Sequence, residues 1–585
     1  MAGVGMLPYH AMPARKLPES VAVVGVSAIL VLILTFPLAF EIGHVGRVNS
    51  GDGQFSIWNV AWVARALVLD PAHVYDANIF YPHRGTLAYS ESNLGAGLLA
   101  IPAYWTTRNP YFALNTVVLL AFLLSAIGTY LLVRALTGDP GASAVSAITY
   151  AFCPFVFARL AHIQLLMTAG LPFSLLAFHR LVERQTIGRV AALALALVAQ
   201  ALACGYYGIF AALMVGAGVL YYGVARGLWR RIRYAAAIVA SAALSMVLIL
   251  PFFLPYLSLE RDGPFRTLDE SRNWSATWPA YAASNAWAHR WMLAQLRERA
   301  LVPADVLFPG FLVTGLALAA VGLGLRSLGA AGRPAAAARS LGPAAAVQTA
   351  GAALDQAARQ HVFFHALLAI LAVWVSFGPG AGLYSLLYRT LPAFSLLRAP
   401  SRFAVLLPLA LSVLAGLALA ALTRGRRHPN WIAASVALVA ALELAAIPLD
   451  LRERIPVPAA NRMLASLPPG PVAEFPFFYR RIDLYRHSLY MLFSTAHWHP
   501  LVNGYSDYIP DDFDRMLIPI SSFPTYESFD ILRRHGARYA IFHLNLYDYR
   551  SRAKLLDRLE QYKANLRPLT QQGDDWLFEI VSWPE

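Results

Sequence analysis

The chain has 585 residues, of which 58% are hydrophobic and only 14% charged, with a formal net charge of +14 and a mean hydropathy of +0.51. A soluble globular chain carries about 25% charged residues, so most of this one must be solvated by lipid. The basic excess excludes nothing by itself, but its placement argues against a nucleic-acid binder. Arg15 and Lys16, Arg134, the group Arg180, Arg184 and Arg189, the group Arg226 to Arg233, the group Arg326 to Arg359, and Arg424 to Arg427 alternate with apolar runs.

Apolar runs of about 20 residues read as membrane-spanning helices. Roughly eleven are predicted, at 21–41, 111–135, 142–158, 164–182, 188–204, 208–225, 234–257, 304–325, 361–378, 402–423 and 431–449. With the N-terminus inside, every basic cluster named above falls on the cytoplasmic side, as the positive-inside rule requires. An odd span count then leaves the C-terminal tail outside. The opening run is longer than a signal peptide's core and lacks a small-residue cleavage site, so it reads as an anchor. The expected fold class is a polytopic α-helical membrane protein with a C-terminal extracytoplasmic α/β domain, a multi-pass protein of the cytoplasmic (inner) membrane. Cys153 and Cys204 lie within or at the ends of spans and read as small buried apolar residues, so no disulfide framework is expected outside.

Three outward segments follow in chain order. The first, 42–110, contains a helical stretch at 54–69 with Ile57, Val60, Ala61, Ala64, Leu67 and Val68 on one stripe and Trp58 and Trp62 beside it. That pattern predicts a helix lying in the membrane interface, anchored by its tryptophans. A second apolar stretch, 94–105, is too short to span and reads as interfacial or re-entrant, stopped near Pro102. The second segment, 259–303, reads as an ordered loop over the membrane face. The third is the domain 451–585, beyond a transmembrane part that ends at 450. Strands are predicted at Val472–Phe475, Tyr539–His543 and Trp576–Val581, and helices at 526–535 and 551–562. The alanine-rich inner loop 326–360 reads as a flexible linker.

Soluble-enzyme signatures are missing: the sequence holds neither a phosphate-cradling P-loop nor paired Cys-x-x-Cys motifs. His497 and His499 read as polar surface of the outer domain, since an i, i+2 pair builds no zinc site alone. No cofactor or metal is predicted from the residues. Asp52, in VNSGDGQFSIW, stands ahead of a helix where it suits an N-cap, although Ser50 serves that role as well. At the outer face it is equally placed to act as a general base. The same loop supplies Tyr81, His83, Arg84 and Glu91, with Arg84 and Glu91 able to pair. Arg398 and Arg402, in FSLLRAPSRFAVL, lie on the outer side against the topological trend. Arginine matches phosphate oxygens bidentately. Arg159 and His162, in FARLAHIQLL, form a comparable outer pair.

The phrases GDGQFSIWNVAW, NIFYPHRGTLAYSE, LRAPSRFAVL and HPLVNGYSDY, with the order of spans and tail, resemble the GT-C superfamily of integral-membrane glycosyltransferases. Among these the chain is similar to bacterial relatives of the protein O-mannosyltransferases and of the lipid A aminoarabinose transferase. The resemblance implies transfer of a sugar from a polyprenyl-phosphate donor to a glycan, lipid or protein acceptor on the outer face, with inversion. It implies Asp52 as catalytic base or acceptor-orienting acid, and Arg398, Arg402 and Arg159 as holders of the donor phosphate. His162, Tyr81, His83, Arg84 and Glu91 are implied substrate contacts. Many members carry a second acid where this chain has His162, a departure that speaks against a two-acid or metal-assisted arrangement. The partners expected are the lipid-linked donor, the acceptor and membrane lipid, with no nucleic acid.

Other classes predict other residues. A lipid-linked glycan translocase would place polar groups deep in the spans, where Glu443 is the clearest acid. A glycan ligase or polymerase would shift the weight to Arg272, His289 or Arg290. An assembly subunit would use the outer domain only to bind a partner.

Overall fold

The computed structural model describes residues 18–259, 266–331 and 354–585. Arg15, Lys16, Arg333 and Arg339, and most of the predicted linker 326–360, lie outside the described residues. The first helix is α1 (Glu19–Leu34), followed by α2 (Gly51–Leu69) and α3 (Leu94–Thr107). Next come α4 (Pro110–Thr137), α5 (Pro140–Phe157), α6 (Ile163–Glu183), α7 (Ile187–Ala203), α8 (Gly205–Ala225) and α9 (Ile232–Leu259). The remaining apolar helices are α10 (Phe311–Leu328), α11 (Gln356–Ser376), α12 (Leu383–Thr390), α13 (Pro400–Thr423) and α14 (Pro429–Leu444).

Eight of these helices are long and apolar enough to cross a membrane, and α1, α7 and α14 are shorter apolar helices. Each predicted span falls on one of these eleven (8 + 3). The protein is therefore a multi-pass, mostly helical membrane protein. Boundaries move where proline dictates. The first span stops at Leu34, ahead of Pro37, and the eighth begins at Phe311 rather than 304, after Pro309 and Gly310. Asn109 and Asp139 each precede a proline and cap the helix that follows. Asn109 Oδ1 accepts from the Tyr111 and Phe112 amides, and Asp139 Oδ1 accepts from Ala142.

The C-terminal module holds α15 (His487–Ser494), α16 (Asp511–Ser521), α17 (Tyr526–Arg534) and α18 (Tyr549–Gln561). Two short strands, β1 (Val45–Gly46) and β2 (Arg452–Glu453), pair antiparallel and join the first loop to the start of the module. Its sheet comprises β3 (Val472–Phe475), β4 (Tyr539–His543), β5 (Leu566–Gln572) and β6 (Asp575–Ile580), in the order β3-β4-β6-β5. β3 and β4 run parallel with Val472 opposite Tyr539, and the other pairs are antiparallel. Every residue of β3 and β4 is buried. This explains why those strands were legible, whereas β5, reading LRPLTQQ on the sheet edge, was not.

Two expectations for the first loop are corrected. The tryptophans of α2 are not lipid anchors: Trp58 is 0% and Trp62 8% exposed. Their indole N–H groups donate to Asn78 Oδ1 at 3.0 Å and to the Val74 carbonyl at 2.9 Å. Both rings belong to one hydrophobic core with Phe475, Ile541, Phe542 and Leu577 of the module. An amphipathic stripe looks the same whether headgroups or a protein partner cover it. Helix α3 likewise runs on through Pro102 to Thr107 and packs on α2. The exposed tryptophans lie elsewhere, with Trp274, Trp278, Trp287 and Trp291 in the loop before α10, Trp374 near the end of α11, and Trp229 and Trp431 beside the arginine-rich helix ends. These two groups fit the aromatic belts of a bilayer's two interfaces.

Candidate active site

Ser50 caps α2, its Oγ accepting from the Gly53 amide at 3.2 Å, so Asp52 is not the cap and its carboxylate is left for other partners. The flanking glycines have a packing reason. A Cβ on Gly53 would stand 1.7 Å from the Arg47 carbonyl oxygen, and one on Gly51 would stand 3.0 Å from Tyr485. Asp52 Oδ2 meets His162 Nε2 at 3.3 Å. This contact, opposed by burial and aided by the charges of Arg398 and Arg402, holds the carboxyl below the usual aspartate value. Tyr505, from the C-terminal module, stands close to Asp52, and burial together with that carboxylate pushes the phenol up.

The arginines gather around Tyr206. The Arg398 amide donates to the Tyr206 hydroxyl at 3.2 Å, and the Arg402 guanidinium lies 4.5 Å from the Tyr206 ring centroid. Arg398 Nη1 pairs with Asp507 of the module at 3.1 Å and its guanidinium stacks over Trp274. Arg159 pairs with Asp305, and Ser401, between the two arginines of the RAPSR turn, donates to the same carboxylate. Burial pushes Asp305 up, but the Arg159 charge and the Ser401 hydrogen bond outweigh it and hold the carboxyl low. The Nε atoms of Arg159 and Arg398 are buried and make no hydrogen bond among the described residues. Such orphaned cationic donors are rare in a finished interior and suit an anion.

Next to the arginines is a small pocket of about 80 Å³ lined by Glu91, Tyr206, Tyr256, Arg266 and Asp507. Glu91 accepts from the Gly205 and Tyr206 amides at the start of α8, at 3.2 and 3.4 Å. Burial pushes its carboxyl up, against the pull of those two amides. The pocket adjoins a much larger apolar cavity of about 1160 Å³, bounded by α7, α8, α9, α11 and α12. Ala201, Gly205, Ile209, Phe253 and Leu396 line both. A cavity among membrane helices thus opens at one end onto buried charge.

Asp52, His162, Arg398, Arg402, Arg159 and Glu91 are therefore brought to one end of the helical bundle. Tyr81, His83 and Arg84 are not: their contacts are with the module, where the Tyr81 amide donates to the Leu501 carbonyl and His83 meets Asp512 at 3.0 Å, while Arg84 is exposed. Among the described residues no ion pair joins Arg84 to Glu91. The histidines 497 and 499 are not a polar surface, because His499 is only 7% exposed and the His497 Nε2 atom is buried. Glu443 and His289 pair at 3.1 Å, and Glu443 accepts from the first amides of α10, a structural pin. Arg290 lies over Trp287, and Arg272 pairs with the exposed Asp269.

Sequence reasoning missed Tyr206, Asp305, Tyr505 and Asp507. Only Tyr505 and Asp507 carried a signal, in the NGYSDY phrase whose partners lie hundreds of residues away. Among the described residues no group of three or more His, Cys, Asp or Glu side chains is arranged to hold a metal ion. The carboxylates Asp52, Asp305 and Asp507 are committed to an imidazole or to guanidinium groups instead.

No family model matches the chain, and no curated protein matches it. Among solved structures the chain is similar to the archaeal oligosaccharyltransferase AglB from Archaeoglobus fulgidus in complex with an inhibitory peptide and a dolichol-phosphate, at 13% identity and a TM-score of 0.46, covering 95% of this chain and 74% of that one. It is also similar to ArnT from Cupriavidus metallidurans bound to undecaprenyl phosphate, at 15% identity and a TM-score of 0.39, covering 97% of this chain and 99% of that one.

Proposed function

We propose that this protein is a GT-C-type membrane glycosyltransferase that moves a sugar from a polyprenyl-phosphate donor to an acceptor at the outer face of the cytoplasmic membrane. The observation that carries this reading is that the apolar cavity of about 1160 Å³ adjoins a small pocket whose Asp507 and Tyr206 hold Arg398 and Arg402, in a cluster where Arg159 and Arg398 keep buried, unpartnered Nε donors. A long apolar tail with a phosphate head fits that junction. The donor sugar, on the far side of the phosphate, then reaches the Asp52 end of the cluster.

The steps follow from the charges. The Asp52–His162 end draws the proton from an acceptor hydroxyl, and the acceptor oxygen attacks the anomeric carbon. The bond from that carbon to the phosphate oxygen breaks, and its electron pair leaves with the lipid phosphate. Arg398, Arg402 and Arg159 stabilise the charge that develops there. Attack opposite the leaving group inverts the configuration. Glu91, high in pKa and buried beside the arginines, serves as a hydrogen-bonding group to the donor. A glycan translocase is less well supported, since the charged cluster sits at one end of the bundle rather than along a path through it.

The deciding experiment gives purified protein in lipid nanodiscs a panel of polyprenyl-phosphate sugars. Release of polyprenyl phosphate with transfer or hydrolysis of the sugar is the expected result. Transport of an intact lipid-linked sugar with no turnover of the bond would overturn the reading.

A further inference from the structure

The Asp52 carboxylate is itself committed to a histidine. The loop bearing His162 is tied to α2: Ser56, four residues beyond Asp52 and so on the same helix face, donates its hydroxyl to the Ala161 carbonyl at 2.9 Å. This tie delivers His162 Nε2 to within 3.3 Å of Asp52 Oδ2. The other ring nitrogen, Nδ1, makes no hydrogen bond among the described residues, and the side chain is 31% exposed. His543 and His289 differ: each has both ring nitrogens engaged, His543 by Asp575 and Glu474 and His289 by Ser284 and Glu443.

We propose that His162, through Nδ1, is the catalytic base, and that Asp52 is the positioning residue that fixes its tautomer and stabilises the imidazolium. The inference rests on the glycosyltransferase reading and deepens it. With the proton on Nε2 and shared toward Asp52, Nδ1 presents its lone pair to the acceptor O–H. The proton moves to Nδ1 as the acceptor oxygen bonds to the anomeric carbon and the carbon–phosphate-oxygen bond breaks. The resulting imidazolium faces the Asp52 carboxylate and later releases its proton to water. Proton balance needs no further reactant. The depressed pKa of Asp52 supports this division, since a carboxylate stabilised by its neighbours is the weaker base.

The test uses the full-length protein in nanodiscs, with lipid-phosphate binding measured beside sugar transfer. His162→Gly should lower kcat by about 10³-fold or more with donor binding retained, and added imidazole should restore about tenfold of that loss, which a structural role does not allow. If His162→Gly fails to bind the donor, His162→Gln, which keeps an amide toward Asp52, takes its place and should show the same loss in kcat. Full turnover by either variant, or a loss in His162→Gly that imidazole leaves untouched while the donor binds, overturns the assignment. An absence of any sugar transfer by the unaltered protein would instead sink the underlying reading, so the two failures are distinct.

Discussion

His162 and His543 are both held by carboxylates, but in opposite settings. His543, in the C-terminal module, is 2% exposed and lies between Glu474, which is 0% exposed, and Asp575, at 2.8 and 2.7 Å. Tyr490 stacks on its ring at 5.3 Å and Asn461 satisfies the second Glu474 oxygen at 3.0 Å. His162 is 31% exposed, touches one carboxylate that is itself 48% exposed, and keeps a nitrogen unengaged. The same chemical pair thus makes a buried joint where both imidazole nitrogens are engaged, and a half-exposed one where a nitrogen is left over. Burial and valence decide which.

The largest effect separating the two settings is expected at Asp52. Asp52→Asn keeps the shape and removes the charge, so sugar transfer should fall by about 10³-fold or more, with lipid-phosphate binding and detergent-stable folding unchanged. Wild-type-like transfer in that variant would break the comparison. At the sealed pair the effect should be on stability. His543→Ala leaves Glu474 buried and unpaired, and should cost about 3–5 kcal/mol, read as a lower denaturation midpoint of the module.

A pH titration sharpens the contrast. Burial pulls His543 down, but its hydrogen bonds to Asp575 and Glu474 outweigh that and hold it up to about 9. An upward shift stabilises fully below an ordinary histidine value of about 6.5 and is lost as pH climbs through about 9. The folded module should therefore weaken by at most about 3 kcal/mol between pH 7 and pH 10, seen by thermal unfolding. That step should vanish in His543→Gln. The smallest effect is expected at the phosphate clamp. Arg398→Ala leaves Arg402 and Arg159 in place, so binding of undecaprenyl phosphate should weaken by about 10- to 100-fold, measured by calorimetry or fluorescence in nanodiscs.

The spans were legible because lipid demands about 20 apolar residues in a row, and no tertiary context can hide that. Arg398 and Arg402 stood out for a related reason, as positive charges on the side where topology does not call for them, and Asp52 as a lone acid among glycines at a helix start. The fate of α2 was illegible, because Trp58 and Trp62 satisfy an interface or a protein core equally well. Asp305 and Asp507 could not be found from local pattern, since each matters only through an arginine far away in sequence. The two-residue pairing of Val45–Gly46 with Arg452–Glu453 carries no compositional mark at all.

That seam, with the shared core of α2 and the module, has a consequence for how the protein is made. The helix carrying Asp52 is among the first parts synthesised, yet the residues that bury its tryptophans, 460–578, are among the last. During synthesis α2 is held only by its contacts with the early part of the chain, such as Ser56 to Ala161, until the final segment completes its core. A nascent or truncated chain therefore leaves Trp58 and Trp62 without part of their cover until residues 460–578 are made.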